Sequence, residues 1–284
     1  MGPSVCIGAL DAAARYYCSP YSKSLSSGLS FMTGLSVHLT PSLVRPEKLA
    51  GSITVVVDVL RATTTMIHAL IAGATRIIAV GEIEEARELA STLPQGRFLL
   101  AGERGGRPIK GFDLGNSPVE FTRAKCGNRD IIMTTTNGTR AILHAKQSRR
   151  ILVGAFVNFS AVCQELLSDG GDVHILCAGT DQEITLEDTV FAGAVVQKLA
   201  ERRDYQLNDG ARVAWDAYEG HGSVLKTAFE LSLGGRNLIE IGMESDIDLA
   251  TRVDRFGIIG EVFDSPPTVR MTNLRWEERT WRSS

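Results

Sequence analysis

Four polar clusters, each standing directly behind an apolar run of strand-like residues, carry the side chains from which a reaction could be built. The first is DVLRATTT, residues 58–65. Here a carboxylate, Asp58, and a guanidinium, Arg61, are spaced to hold a cation and an anion together, and Thr63 and Thr64 open a helix as caps or anion contacts. The same residues also make sense without a ligand, with Asp58 and Thr64 as plain caps and Arg61 as a solvated charge. The second cluster, GERGGRPIKGFDLGNSP at residues 102–118, holds Glu103, Arg104, Arg107, Lys110, Asp113, Asn116 and Ser117. Its glycines let the backbone approach a phosphate or take positive φ, although the segment fits neither the P-loop nor the GxGxxG pattern and reads equally as a long connector.

The third cluster is TTTNGT, residues 134–139, where Asn137 and Gly138 make a natural turn. Thr136 or Thr139 there can donate to a phosphate or sulfonate oxygen at a helix start, or the segment is a turn and cap with no ligand. In the fourth, CAGT (residues 177–180) is followed by LEDT (residues 186–189). Glu187 and Asp188 fall in the first turn of a helix, where the dipole alone stabilises acidic groups by about 0.3–1 kcal/mol.

Several chemistries fall away on residue type. A haloacid-dehalogenase nucleophile needs a second carboxylate where Leu60 stands. Cys177 closes a strand without a CxxxxxR phosphate loop, the setting of a small inert core residue. The five histidines form no HxH or HExxH pair, which argues against a zinc hydrolase.

The elements that must position these clusters alternate between β-like and helical patterns. Strand-like runs at residues 35–39, 53–57, 76–80, 98–101, 130–134, 151–154 and 173–177 are interleaved with helical periodicity, most clearly after residues 64, 82, 140, 160 and 186. This order predicts an α/β fold in which helices are layered around a largely parallel or mixed β-sheet, with ligands collecting beyond the carboxyl ends of the strands. Beyond Asp204 glycines break the pattern, and only a short helix at residues 245–250 stands out.

The chain of 284 residues is 44% apolar and 22% charged with a formal net charge of −3, so neither a basic excess for nucleic acid nor an acidic tail is present. No apolar run nears the ~20 residues that span a bilayer. Five scattered cysteines without CxxC spacing fit a reducing cytoplasm rather than a disulfide framework. Residues 1–31, rich in Ser, Gly and Tyr, read as a disordered extension rather than a signal peptide, since Gly8 and Asp11 interrupt the one short apolar run; Met32 is a candidate start. Residues 32–284 then form the folded domain. A small-molecule phosphoester is the expected partner, and a homo-oligomer stays open.

Taken in order, DVLRATTT, GERGG with KGFDLGNSP, TTTNGT, and CAGT with LEDT and AGA resemble the 2-phosphosulfolactate phosphatase (ComB-like) family from about Ser36 to about Asp254. The resemblance implies an α/β fold distinct from the common phosphatase superfolds, a requirement for Mg²⁺, and removal of phosphate from (2R)-2-phospho-3-sulfolactate to give 3-sulfolactate on the route to coenzyme M. On the matching positions, Asp58, Arg61, Glu103 and Asn137 are expected to be catalytic. Thr63, Thr64, Arg104, Lys110, Asn116, Ser117, Thr136 and Thr139 are expected to bind substrate, and Asp58, Glu103, Asp113, Glu187 and Asp188 to supply metal ligands. Attack by water and attack by Asp58 both fit the sequence, and a non-catalytic module that binds a phosphorylated or sulfonated metabolite is the rival reading. All of it requires Asp58, Glu103, Asn137 and Glu187 to converge at one edge of the sheet.

Overall fold

A computed structural model of the chain describes residues 32–263 and 265–272. The extension expected over residues 1–31 lies outside them. The described strands are β1 (Gly34–His38), β2 (Ile53–Val57), β3 (Arg76–Ala79), β4 (Phe98–Arg104), β5 (Arg107–Pro108), β6 (Asp130–Thr134), β7 (Arg150–Gly154), β8 (Val173–Cys177), β9 (Gln206–Leu207), β10 (Ile259–Phe263) and β11 (Thr268–Thr272). The α-helices among these residues are α1 (Ala62–Ile71), α2 (Ile83–Ser91), α3 (Arg123–Cys126), α4 (Gly138–His144), α5 (Phe159–Asp169), α6 (Leu186–Ala200), α7 (Asp209–His221), α8 (Leu225–Leu231), α9 (Leu233–Glu240) and α10 (Ser245–Ala250).

The strands form one mixed sheet of 11 in the order β5-β4-β6-β3-β11-β10-β7-β2-β8-β1-β9. Two parallel blocks, β4-β6-β3 and β7-β2-β8-β1-β9, are joined by the antiparallel hairpin β10–β11, which pairs with β7 on one side and β3 on the other. The α/β expectation holds. The sequence pattern shows neither the hairpin nor β9 and α7–α9, and it stops β4 at residue 101 although the strand continues to Arg104.

β2 is a run of β-branched residues buried at every position, as a strand covered on both faces should be. Its alternation divides the core: Val55 and Val57 pack with Phe191 and Val195 of α6, while Val56 packs with Met66 and Ile67 of α1. Each such side chain contributes about 1.5–3 kcal/mol of burial free energy. α1 is buried except at His68 and Ile71, because the sheet wraps around it and it touches β3, β7, β10 and β11.

That wrapping decides where the site lies. Four strands (β3, β11, β10 and β7) separate β6 from β2 in the sheet order, which in a flat sheet is a gap of roughly 24 Å at about 4.8 Å per strand. Yet Gly138, just past β6, sits so close to Asp58, just past β2, that a Cβ on it would lie 2.6 Å from Asp58 Oδ2. The sheet is therefore strongly curled, and the carboxyl ends of its two parallel blocks face one another.

Candidate active site

Where these ends meet there is a cavity of about 370 Å³, lined by the loops after β2, β4, β6 and β8 and roofed by α9. Asp58, Arg61, Glu103, Asn116, Thr136 and Asn137 all line it. These residues, from three of the four clusters, thus converge on one cavity, whereas Glu187, which the sequence reading also requires there, is not on its wall.

Asp58 is buried at the end of β2 and fixed at one oxygen, Oδ1 accepting the Ala62 N–H at 3.0 Å. Thr63 Oγ1 accepts the Asp58 N–H at 3.1 Å and lies 2.9 Å from the Asp58 carbonyl and 2.8 Å from that of Gly154, to which it can donate. Burial, with the neighbouring Asp188 and Glu103 carboxylates, pushes the Asp58 pKa up to about 8. Glu103 is held by the backbone, accepting the Thr136 N–H at Oε1 (2.7 Å) and the Gly106 N–H at Oε2 (2.7 Å). Gly105 and Gly106, at φ +58° and +76°, form the turn between β4 and β5 that presents this N–H, a backbone conformation costly for other residues.

Arg61 is as buried as Asp58, and its guanidinium is already engaged. Nη1 donates to Asp246 Oδ2 at 2.7 Å and Nη2 to the Gly106 carbonyl at 2.6 Å, while Ser117 donates to the other Asp246 oxygen at 2.6 Å. Asp246, only 1% exposed in the first turn of α10, thereby ties the C-terminal helices to the site.

Asp188 and Glu187 lie in the layer beneath the cavity rather than on its wall. Asp188 accepts the N–H groups of Val59 (2.8 Å) and Gly179 (3.1 Å), while Glu187 Oε2 is buried with no hydrogen-bond partner. Burial raises both to about 7, helped by Glu187 at Asp188 and by Asp58 at Glu187. Cys177 sits in the same layer, where burial and these two carboxylates push its thiol well above the ordinary range, the reverse of an activated nucleophile.

Other expected site residues stand elsewhere. Thr64 donates to the Val59 carbonyl, and Thr139 exchanges hydrogen bonds with Thr135 at the start of α4, so both secure turns. Arg104 turns away along β4 to the Gly81 carbonyl and Thr134. Lys110 and Asp113 are exposed and line no part of the cavity; Asp113 accepts the Leu100 N–H at 2.8 Å. The glycine-rich segment alternates between wall and outside, which is why consecutive polar residues in it part company.

Besides Thr180 of the CAGT cluster, the structure adds residues that the sequence did not single out. Thr180 and Asp181 follow β8, Asp181 donating its N–H to Asn137 Oδ1 at 3.3 Å, and Gly234, Asn237 and Glu240 come from α9. The α9 residues lie in the weakly patterned region beyond Asp204, and Asp246 of α10 shows only as one more acidic residue in a helix's first turn.

The cavity offers oxygen and amide donors and is acidic on balance. Asp58, Glu103, Asp181 and Glu240 stand against Arg61, itself neutralised by Asp246, and Arg107. Asn116 Oδ1 is buried without a hydrogen-bond partner. Among the described residues no three His, Cys, Asp or Glu side chains converge tightly enough to hold a metal ion alone, and no helix is long and apolar enough to cross a membrane.

A curled α/β sheet with a small, carboxylate-rich cavity at its carboxyl edge defines an enzyme-like site for a small polar metabolite. A family model described as 2-phosphosulpholactate phosphatase matches residues 38–264. The chain belongs to this family. It is 43% identical over 202 residues to a protein of Symbiobacterium thermophilum (71% of this chain, 87% of the relative). It is also 39% identical over 227 residues to one of Deinococcus radiodurans (79% and 91%) and 36% identical over 225 residues to one of Caldanaerobacter subterraneus (79% and 93%). All three relatives are described as probable 2-phosphosulfolactate phosphatases.

Proposed function

We propose that the protein hydrolyses a small phosphate monoester bearing further acid groups, namely 2-phosphosulfolactate to 3-sulfolactate and phosphate, in a Mg²⁺-dependent reaction in the cytoplasm. The observation that carries this reading is the crowding of carboxylates around Asp58 in a cavity meant for an anion. A phosphate ester entering a cavity with four carboxylates and one uncommitted guanidinium meets net repulsion unless a cation accompanies it. The relatives' names support the substrate, the cavity volume supports a small metabolite, and the buried free cysteines Cys126, Cys163 and Cys177 support a reducing compartment.

The donors present fit Mg²⁺. They are carboxylate and amide oxygens, the ligand type that Mg²⁺ takes alongside water and phosphate oxygens. Glu103 and Asn116 Oδ1, with Asp58 alongside, would hold it, and when bound it supplies neutralisation of the phosphoryl oxygens. The remaining steps belong to the chain. A water oxygen bonds to phosphorus as the ester P–O bond breaks, Asp58 takes the proton of that water at the oxygen not engaged by Ala62, and the leaving oxygen is protonated from solvent. Asp58 accepts this proton in its ionised form, which a pKa raised to about 8 makes the stronger base. Asn137, whose Oδ1 is occupied by Asp181, keeps its amide N–H groups for a phosphoryl oxygen. Arg61 fixes the Gly106 turn and hence Glu103.

Phosphate release from 2-phosphosulfolactate by the purified protein tests the reading. Turnover with Mg²⁺, its loss on chelation and its return on adding the ion are expected. No release with any divalent cation rejects the phosphatase, whereas full turnover after exhaustive chelation rejects only the metal.

A further inference from the structure

Among the described residues two guanidinium groups reach the cavity, and they differ in one respect. Arg61 is committed on both terminal nitrogens, to Asp246 and to the Gly106 carbonyl. Arg107 is exposed at the cavity, and its side chain makes no hydrogen bond or ion pair with any described residue.

Its backbone, in contrast, is closely held. β5 pairs with the end of β4 at Arg104↔Arg107 and Glu103↔Pro108. The turn preceding it is gripped from both sides, its Gly106 N–H by Glu103 and its Gly106 carbonyl by Arg61. The same turn therefore sets the backbone of Arg107 beside that of Glu103 on the cavity wall. A free guanidinium on a rigid hairpin, beside carboxylates that repel anions, presents its planar fork to an acid group without reorganisation of the chain.

We propose that Arg107 is the specificity residue of the site: it pairs with an acid group on the carbon skeleton of the substrate, carboxylate or sulfonate, while the phosphate occupies the carboxylate end. This rests on the phosphatase reading and sharpens it. Phosphate esters of similar size without a further acid group are then poor substrates, because they leave Arg107 unpaired.

The experiment compares wild type with Arg107→Gln and Arg107→Lys on three esters: 2-phosphosulfolactate, 2-phospholactate, which lacks the sulfonate, and isopropyl phosphate, which lacks both acids. Loss of one charge-assisted pair corresponds to roughly a ten- to hundredfold change. In Arg107→Gln the preference in kcat/KM for the acid esters over isopropyl phosphate is expected to fall by that factor, chiefly through KM, with Arg107→Lys recovering part of it. A fall confined to 2-phosphosulfolactate assigns the contact to the sulfonate, and a fall on both acid esters assigns it to the carboxylate. A preference that survives in Arg107→Gln, or equal losses on all three esters, overturns the proposal and leaves the phosphatase standing.

Titration calorimetry with 3-sulfolactate separates the two failures. Wild-type protein that turns over none of the esters but binds 3-sulfolactate at least about tenfold more tightly than Arg107→Gln keeps the recognition and discards the reaction. Protein that neither binds nor turns over discards both.

Discussion

Replacing Asp58 by asparagine tests the central electrostatic feature of the site. In the folded chain the Asp58 pKa is pushed up to about 8, against 3.8 for the free side chain, by burial and by Asp188 and Glu103. Between these values the folded protein keeps a proton that the unfolded chain has given up. The stabilisation is therefore fully present below about pH 4 and is lost as pH rises toward 8, at up to about 1.4 kcal/mol per pH unit. From pH 5 to pH 7 that amounts to about 2–3 kcal/mol from Asp58 alone. Glu187 and Asp188, both raised to about 7, act in the same direction. Urea unfolding of the chelated protein across this interval should show wild type losing about 2 kcal/mol more than Asp58→Asn. Millimolar Mg²⁺ should flatten the wild-type curve, because a ligand bound only by the folded state offsets the repulsion. The variant should fold and release no phosphate. Parallel pH profiles for the two proteins would refute the crowding argument, and near-wild-type turnover would remove Asp58 from the chemistry.

Asp246→Ala leaves the Arg61 charge buried without its partner and should lower unfolding free energy by about 3–5 kcal/mol, read from the urea midpoint. In Gly138→Ala the new Cβ lies 2.5 Å from that of Ala62 and 2.6 Å from Asp58 Oδ2. About 1–3 kcal/mol of stability and at least tenfold in kcat should be lost, as seen in parallel unfolding and phosphate-release assays. Lys110→Ala and Asp113→Asn alter exposed groups away from the cavity, so kcat/KM should stay within about twofold of wild type.

The parallel strands were legible because they are short β-branched runs ending in polar residues, and the convergence of Asp58, Glu103 and Asn137 followed from placing ligands beyond those ends. What separates Glu103 from Arg104, or Asn116 from Asp113, is the local direction of each side chain, and in a glycine-rich segment no periodicity records it. Glu187 and Asp188 were recognisable as acidic residues opening a helix, but their depth beneath the wall depends on how α6 packs on β8. The hairpin β10–β11 was invisible for another reason: Glu261 interrupts the apolar alternation of β10, and its burial is made tolerable by paired hydrogen bonds from Arg150 on β7, about a hundred residues away in the chain.

That hairpin also sets when the molecule can begin to work. Until residues 259–272 are in place, β3 and β7 are two unpaired edges, and the half carrying Glu103 has no ladder connecting it to the half carrying Asp58. The last described strands to leave the ribosome are the keystone of the sheet. Both parallel blocks draw on residues 34–207, but the curl that closes the cavity, and with it any turnover, waits for residues 259–272 to be made.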